Sequence, residues 1–149
     1  MKISNNYGLS ESIKCYKQTG TEDSITVFLK EFYEAWRVNR NVYVPVLYGY
    51  EDPYDWGMIP TDGGVCYVIY TEERLIEKWN GEPIVEGSYI KEVPLQEVVK
   101  RLRMLQGKPM RIGSVVGIAI NPIQMPPYDS PYSLGLDTES VLRICKGIF

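Results

Sequence analysis

The chain has 149 residues, which is close to the size of one domain and enough to bury a sizeable core. Apolar residues make up 44% and charged residues 23%, which excludes a disordered chain, a collagen-like fibre and a disulfide-rich toxin. The formal net charge of -3 lacks the basic excess that duplex nucleic acid requires, so no nucleic-acid partner is predicted. The sequence has no histidine, which excludes Ser-His-Asp and Cys-His catalysis and histidine-ligated zinc.

Short apolar runs and widely spaced cysteines predict a cytoplasmic protein. The longest apolar run, at 115–120, is far shorter than the ~20 residues of a membrane span, and residues 1–6 lack the apolar stretch of a secretory signal. No membrane partner is therefore expected. Cys15, Cys66 and Cys145 show no C-x-x-C spacing, so we expect reduced, buried thiols and predict no metal and no cofactor.

The first half of the chain predicts an arm, a helix and three strands. Thr21 or Ser24 is placed to cap a helix whose apolar side chains recur every three or four residues. Pro45 cannot donate a ladder hydrogen bond, so its strand is expected at an edge or with a local irregularity. The predicted elements are a loosely ordered arm at 1–20, a helix of about five turns from the cap at Thr21 or Ser24 to its end at 39–41, a strand at 42–47, a loop at 48–57, a short strand at 58–60, a glycine turn at 62–64 and a buried strand at 65–70.

The second half predicts further strands and helices. Thr71-Glu72-Glu73 is typical of a helix start, because a hydroxyl acceptor is followed by carboxylates in the positively polarised first turn. Pro94 suits the first turn of another helix, and Asp137 is placed to cap a last one. The predicted elements are a helix from Thr71 to Gly81, a strand at 88–93, a helix from Pro94 to Gly107, a strand at 115–120 and a helix after Asp137.

These elements predict one α/β domain over residues 1–149. Two successive strand–helix–strand units, at 65–93 and 88–120, imply right-handed crossovers and partly parallel pairing. The predicted architecture is a single-layer mixed sheet of about five strands, with helices packed on its faces and βαβ crossovers.

Three stretches stand in a recognisable order. They are VYVPVL at 42–47, VCYVIYTEERLIEKWNG at 65–81 and GIAINP at 117–122. Together they resemble the SseB N-terminal-domain family, named for an enhanced-serine-sensitivity phenotype in bacteria, although Tyr70 stands where family members usually have Phe. The resemblance implies a bacterial, cytoplasmic α/β module. The family has no established catalytic residues, so none is carried over to this chain.

Two loops repeat the tripeptide Pro-Tyr-Asp, at 53–55 and 127–129. If the strands at 42–47 and 115–120 run parallel, both loops leave the same end of the sheet, which is where open α/β sheets place ligands. Tyrosine and tryptophan are enriched at interface hot spots. The sequence therefore predicts a non-catalytic binding or adaptor module, whose aromatic surface with an acidic rim contacts a protein partner. The predicted partner-binding residues are Tyr50, Tyr54, Asp55, Trp56, Tyr128, Asp129 and Tyr132.

Three alternatives stay open at this point. The same rings can instead cover the chain's own core. Asp52, Asp55 and Asp129 could hold Mg2+ or Ca2+ in a small carboxylate-based enzyme, although no E-x-x-E, D-x-D or EF-hand spacing supports it. A basic cluster could bind an anion, or simply form the solvated face of a helix. That cluster comprises Lys100, Arg101, Arg103, Lys108 and Arg111.

Overall fold

The computed structural model describes residues 6–76, 78–79, 82–83, 87–110, 113–123 and 130–148, with the backbone alone for 78–79 and 82–83. The elements in chain order are α1 (Tyr7–Thr19), α2 (Glu22–Arg37), β1 (Asn41–Leu47), β2 (Met58–Thr61), β3 (Gly64–Ile69), a 3-10 turn (Glu73–Leu75), β4 (Lys78–Trp79), β5 (Glu82–Pro83), β6 (Ser88–Pro94), α3 (Leu95–Leu105), β7 (Val115–Ile120), β8 (Leu134–Asp137) and α4 (Thr138–Ile144). This mixed arrangement confirms the predicted fold class. Within the described residues, no helix combines the length and the apolar character that crossing a bilayer requires.

Helix α1 occupies residues 7–19 of the predicted N-terminal arm, so the prediction of an arm was wrong for these residues. Leu9 and Ile13 are four residues apart on one face of α1 and are buried against the rest of the core. Gly20 ends the helix in the left-handed conformation, where its N–H donates to the Tyr16 carbonyl at 2.8 Å. The sequence analysis missed this helix, because its composition is polar and only a narrow stripe of it is apolar.

The predicted helix caps hold at two of three positions. Thr21 accepts a hydrogen bond from the Ser24 N–H at the start of α2, and Asp137 accepts one from the Ser140 N–H at the start of α4. The helix predicted from Thr71 to Gly81 was wrong, because the described residues of this range form a three-residue 3-10 turn and strand β4. Of the two predicted strand–helix–strand units, the described residues keep β6–α3–β7, whose two strands belong to different sheets.

An isolated bridge between Tyr43 and Tyr70 joins two sheets. Strands β1 and β6 pair antiparallel, whereas the second sheet has the order β2-β3-β7-β8 with β3 parallel to β7. A separate antiparallel pair joins β4 and β5. Tyr43 in β1 and Tyr70 after β3 exchange backbone hydrogen bonds of 2.9 and 2.8 Å, so β1 runs antiparallel to β3.

Strand β1 consequently runs opposite to β7, and the condition that the strands at 42–47 and 115–120 run parallel was wrong. The loop after β1 leaves what we term the loop end of the sheet. The chain after β7 leaves the opposite end, where the Asn121 N–H donates to the Ile69 carbonyl at 2.8 Å. We term this opposite end the network end.

Residues 55–61 lie as a wedge between β1 and β3 at the loop end. The Gly57 N–H donates to the Pro45 carbonyl at 2.7 Å, and the Gly57 carbonyl accepts from the Val68 N–H at 3.0 Å. The chain therefore changes its pairing from β1 to β3 at Gly57. Pro45 lacks the N–H that a regular ladder would use on this side, which agrees with the irregularity predicted for its strand.

The core is divided between the two faces of the sheet. All four helices contribute buried residues to the larger cluster, together with Tyr67 and Ile69 of β3 and Ile118 and Ile120 of β7. A smaller cluster on the other face is centred on Val68 of the same strand. Alternate residues of β3 thus enter different clusters, as expected of a strand covered on both faces.

The three cysteines are unpaired thiols in different surroundings. Cys15 is exposed, so the prediction that it is buried was wrong, whereas Cys66 is half-buried and Cys145 is buried. Burial raises the pKa of the Cys145 thiol to about 12.

A buried polar network fastens α1 to the network end. The Asn6 side chain donates to the carbonyls of Asn41 and Thr71 at 2.7 and 3.0 Å. The hydroxyls of Ser10 and Thr71 lie 2.8 Å apart, and the Asn121 amide accepts from the Thr71 N–H at 2.9 Å. Asn121 has a φ of 51°, a conformation that its side-chain bonds stabilise. Thr71 and Asn121 therefore serve the chain's own packing.

Replacing Thr71 with Val should lower the free energy of unfolding by about 1–3 kcal/mol, because Ser10 and Asn121 each lose a buried hydrogen-bonding partner. The measurement is urea unfolding. Thr61→Val, the same change at an exposed position of β2, is the control and should shift stability by less than about 0.5 kcal/mol. Equal effects of the two changes would contradict the role given to the network.

Candidate functional site at the loop end of the sheet

Arg101 of α3 anchors the loop at 48–57. Its Nη1 lies 2.6 Å from Asp55 Oδ1 and 3.6 Å from Asp52 Oδ1, and its Nε lies 3.7 Å from Glu97 Oε1. The guanidinium also stacks on the Trp56 ring, with its central carbon 3.6 Å from the ring centroid. One side chain therefore holds two acidic residues and one aromatic residue of the loop against the helix.

The charge of Arg101 is stabilised by its surroundings. Burial by itself lowers the pKa of the guanidinium, but the hydrogen bond and charge of Asp55 and the charge of Asp52 outweigh this effect, so the pKa lies above its usual value. Arg101 thus stays charged at physiological pH.

Trp56 and Tyr67 connect the loop to the core. Trp56 is only 2% exposed, and its ring meets the Tyr67 ring edge-on at a centroid distance of 5.5 Å. The Tyr67 hydroxyl donates to the Pro53 carbonyl at 2.8 Å. The core residue Tyr67 therefore holds the Pro-Tyr-Asp turn at 53–55 in position.

The predicted site residues divide into three groups. Tyr50 is 62% exposed and Tyr54 is half-buried at the loop end, whereas Asp55 is bonded to Arg101 and Trp56 is part of the core. For Trp56, covering the core was the correct alternative. Tyr132 lies at the network end, away from Tyr50 and Tyr54. Tyr128 and Asp129 lie outside the described residues.

Tyr48 and Tyr89 are exposed aromatic residues that the predicted site did not include. Tyr48 is 68% exposed and Tyr89 is 38% exposed, and their rings are in tilted contact, with a centroid distance of 4.8 Å and an interplanar angle of 42°. The Tyr48 N–H donates to the Gly87 carbonyl at 3.2 Å, which continues the β1–β6 pairing. An antiparallel register between the two predicted strands would have revealed this contact, but the sequence did not determine which strands pair.

At the network end, Tyr132 is engaged by charged side chains. Arg74 lies over the Tyr132 ring at 5.1 Å, and the Tyr132 hydroxyl donates to Glu11 at 3.2 Å. Arg74 also donates to the buried carboxylate of Glu72 at 2.8 Å, and this hydrogen bond raises the pKa of the Arg74 guanidinium. The Tyr132 side chain is therefore in contact with charged side chains of the same chain.

The structure bears on the cation and anion alternatives as well. Asp52 and Asp55 are both held by the Arg101 guanidinium. Among the described residues, no group of three metal-ligating side chains comes together. Arg101 of the predicted basic cluster is paired with acidic side chains of this chain. Lys100 and Arg103 are exposed along a cleft of about 440 Å³ between α2 and α3.

Replacing Arg101 with Met should lower the free energy of unfolding by about 3 kcal/mol, because Asp55 loses a partly buried cation and Trp56 loses its stacked guanidinium. Urea unfolding measures the change. Arg103→Met removes the same charge from an exposed position of the same helix and should have an effect below about 0.5 kcal/mol. The anchoring role fails if the two variants are equally stable.

Tyr67 should make the free energy of unfolding depend on pH in the alkaline range. Burial raises the pKa of its phenol from 10.0 to about 12, against smaller opposing effects of Arg101. The unfolded state releases this proton near pH 10 and the folded state near pH 12, so stability is lost as the pH rises between these values. In pH-dependent urea unfolding, the stability difference between the native chain and Tyr67→Phe should be largest below pH 10 and should narrow towards pH 12. A constant difference would contradict the raised pKa.

Comparisons with family models, with curated proteins and with solved structures yield no match for this chain. The resemblance to the SseB N-terminal-domain family thus rests on the three stretches of sequence, and the function is argued from the geometry of the site.

Proposed function

We propose that this protein is a non-catalytic binding or adaptor module that contacts a protein partner through exposed tyrosines at the loop end. The tyrosine surface consists of Tyr48, Tyr50 and Tyr89. Tyrosine rings bury a large area with few rotamers lost, and this makes them frequent in protein-binding surfaces. The observation that carries the proposal is that Tyr48 and Tyr50 are exposed on a loop that Trp56 anchors in the core.

The anchoring keeps the ordering cost of binding low. Asp55 is bonded to Arg101, and Trp56 is buried beneath the loop. The Tyr48 N–H donates to the Gly87 carbonyl beside β6, and the Tyr48 ring contacts the Tyr89 ring in a tilted arrangement. A surface that is ordered before binding loses less conformational entropy when a partner arrives, so a larger share of its contact energy appears as affinity.

The charges beside the tyrosine surface favour a basic segment of the partner. Glu51 and Asp52 are exposed on the same loop. Lysine and arginine side chains can lie over tyrosine rings and pair with neighbouring carboxylates. We infer a partner segment with basic residues, which makes the interaction sensitive to salt.

The family and the location belong to the same proposal. The stretches at 42–47, 65–81 and 117–122 support an SseB-like bacterial module, and the short apolar runs support a cytoplasmic location. Neither inference assigns a reaction.

Replacing Tyr48 and Tyr50 together with Ala should remove a specific protein from affinity capture in an extract of the source organism. The free energy of unfolding should change by less than about 1 kcal/mol, because both rings are largely exposed. Captured proteins are compared by mass spectrometry at low and at high salt.

Tyr7→Ala is the matched control, since Tyr7 is an exposed tyrosine of α1 at the network end. It should leave capture unchanged. Recovery of the same proteins with the double variant, at unchanged stability, would refute the proposed surface.

A further inference from the structure

The cleft between the end of α2 and the first turns of α3 is separate from the tyrosine surface. Its volume is about 440 Å³, which is within the range of pockets that take small molecules. Pro94, which lines the cleft, stands opposite Asn41 at the start of β1, whereas Tyr48 follows the last residue of that strand. The cleft and the tyrosine surface therefore lie at opposite ends of β1.

Two reciprocal hydrogen bonds hold the walls of the cleft together. The Gln96 backbone N–H donates to Asn39 Oδ1 at 3.1 Å, which satisfies a donor in the first turn of α3. The Gln96 side chain donates through Nε2 to the Trp36 carbonyl at 2.9 Å, which satisfies an acceptor in the last turn of α2. The cleft is therefore ordered before a ligand binds, and this keeps the entropic cost of binding low.

Two cations stand next to each other on one wall of the cleft. Gln96, Lys100 and Arg103 are at positions i, i+4 and i+7 of α3, so they share one face of the helix, and all three line the cleft. Lys100 and Arg103 are exposed, and within the part of the chain that the structure describes neither forms a hydrogen bond or an ion pair. Neighbouring like charges on a helix repel each other, so an anion that contacts both is favoured.

The carboxylate of Glu97, which also lines the cleft, is directed towards Arg101. Glu97 Oε1 lies 3.7 Å from Arg101 Nε, on the side of α3 where Arg101 binds Asp55. Among the described lining residues, Lys100 and Arg103 thus face a single carboxylate that is already paired with another cation. The charge of the cleft is therefore positive.

The cleft also offers an aromatic ring and amide groups. Trp36 is half-buried, and its ring contacts the Tyr33 ring at a centroid distance of 6.0 Å. The Asn39 amide nitrogen and the Gln96 amide oxygen have no hydrogen-bonding partner among the described residues. Aromatic rings stack on nucleobases, and side-chain amides hydrogen-bond to the edges of bases. This part of the cleft therefore suits a planar, polar-edged ring.

We propose that the cleft between α2 and α3 binds a nucleoside monophosphate, with its phosphate on Lys100 and Arg103 and its base against Trp36. A rise of ~1.5 Å per residue separates Gln96 from Arg103 by about 10 Å along α3, which suits a ligand with an anion at one end and a planar ring at the other. An acidic peptide would supply the anion but would leave Trp36 and the two amide groups without a specific contact. The observations therefore favour a nucleotide.

The probes are adenosine 5′-monophosphate (AMP), adenosine and inorganic phosphate, each titrated into the full chain by isothermal titration calorimetry. We expect AMP to bind with a dissociation constant below about 1 mM, and adenosine and phosphate each to bind at least about tenfold more weakly. Nuclear magnetic resonance should show that AMP shifts the indole N–H signal of Trp36 and leaves that of the buried Trp56 unchanged.

Lys100→Met should weaken AMP binding by at least about fivefold, because the phosphate loses a cation. Lys108→Met makes the same change at an exposed position beyond the end of α3, outside the cleft, and is the matched control. Both variants should unfold at the same urea concentration as the native chain. Trp36→Leu should weaken binding of AMP but not of inorganic phosphate; if this variant does not fold, the indole signal of the native chain tests the same contact.

Three results would overturn the proposal. The first is the absence of AMP binding at about 10 mM. The second is AMP binding no tighter than that of adenosine or of inorganic phosphate, because one half of the ligand would then contribute nothing. The third is an equal loss of binding in the Lys100 and Lys108 variants, or an unchanged Trp36 signal. The double variant of Tyr48 and Tyr50 should bind AMP like the native chain, so this test is independent of the proposed function.

Discussion

Arg101 joins three parts of the chain that are distant in sequence: helix α3, the loop after β1 and, through Trp56, strand β3. A partly buried guanidinium is costly to desolvate, and the carboxylates of Asp55 and Asp52 offset that cost. The contact therefore depends on all of its members. Because Trp56 is packed between Arg101 and Tyr67, the loop cannot leave the sheet without exposing a large aromatic ring.

The aromatic residues of this loop have two different roles: one anchors the loop to the core, and others are exposed to solvent. Trp56 forms a backbone bridge with Val46 of β1 and packs on Tyr67 of β3, and the wedge at 55–61 keeps β1 from pairing with β3 along its whole length. Tyr48 and Tyr50 stand on the opposite, solvent side of the same loop. The residues that hold the loop and those offered to a partner are thus different, which allows one set to change without loss of the other.

The two ends of the sheet solve the burial of polar groups differently. At the loop end, buried charge is balanced by opposite charge around Arg101. At the network end, the buried carboxylate of Glu72 is likewise paired with Arg74, but neutral groups of Asn6, Thr71 and Asn121 also hydrogen-bond to one another across three chain segments. The carboxyl ends of β3 and β7, a position where many α/β proteins bind ligands, are consequently occupied by α1 of the same chain.

Local patterns in the sequence determined the elements whose signals are local. The apolar stripes of α2 and α3, the caps at Thr21 and Asp137 and the apolar runs of β3 and β7 could all be predicted, because helix caps and side-chain periodicity depend on residues within a few positions of one another. Tertiary structure alone decided the direction of β1 relative to β7, the burial of Trp56 and the use of Thr71 in a network rather than a cap. Each of these depends on partners far away in the chain, such as Tyr70 for Tyr43 and Arg101 for Asp55. Strand direction and long-range ion pairs leave no periodic trace in a single sequence, so the position of the candidate site followed from the fold.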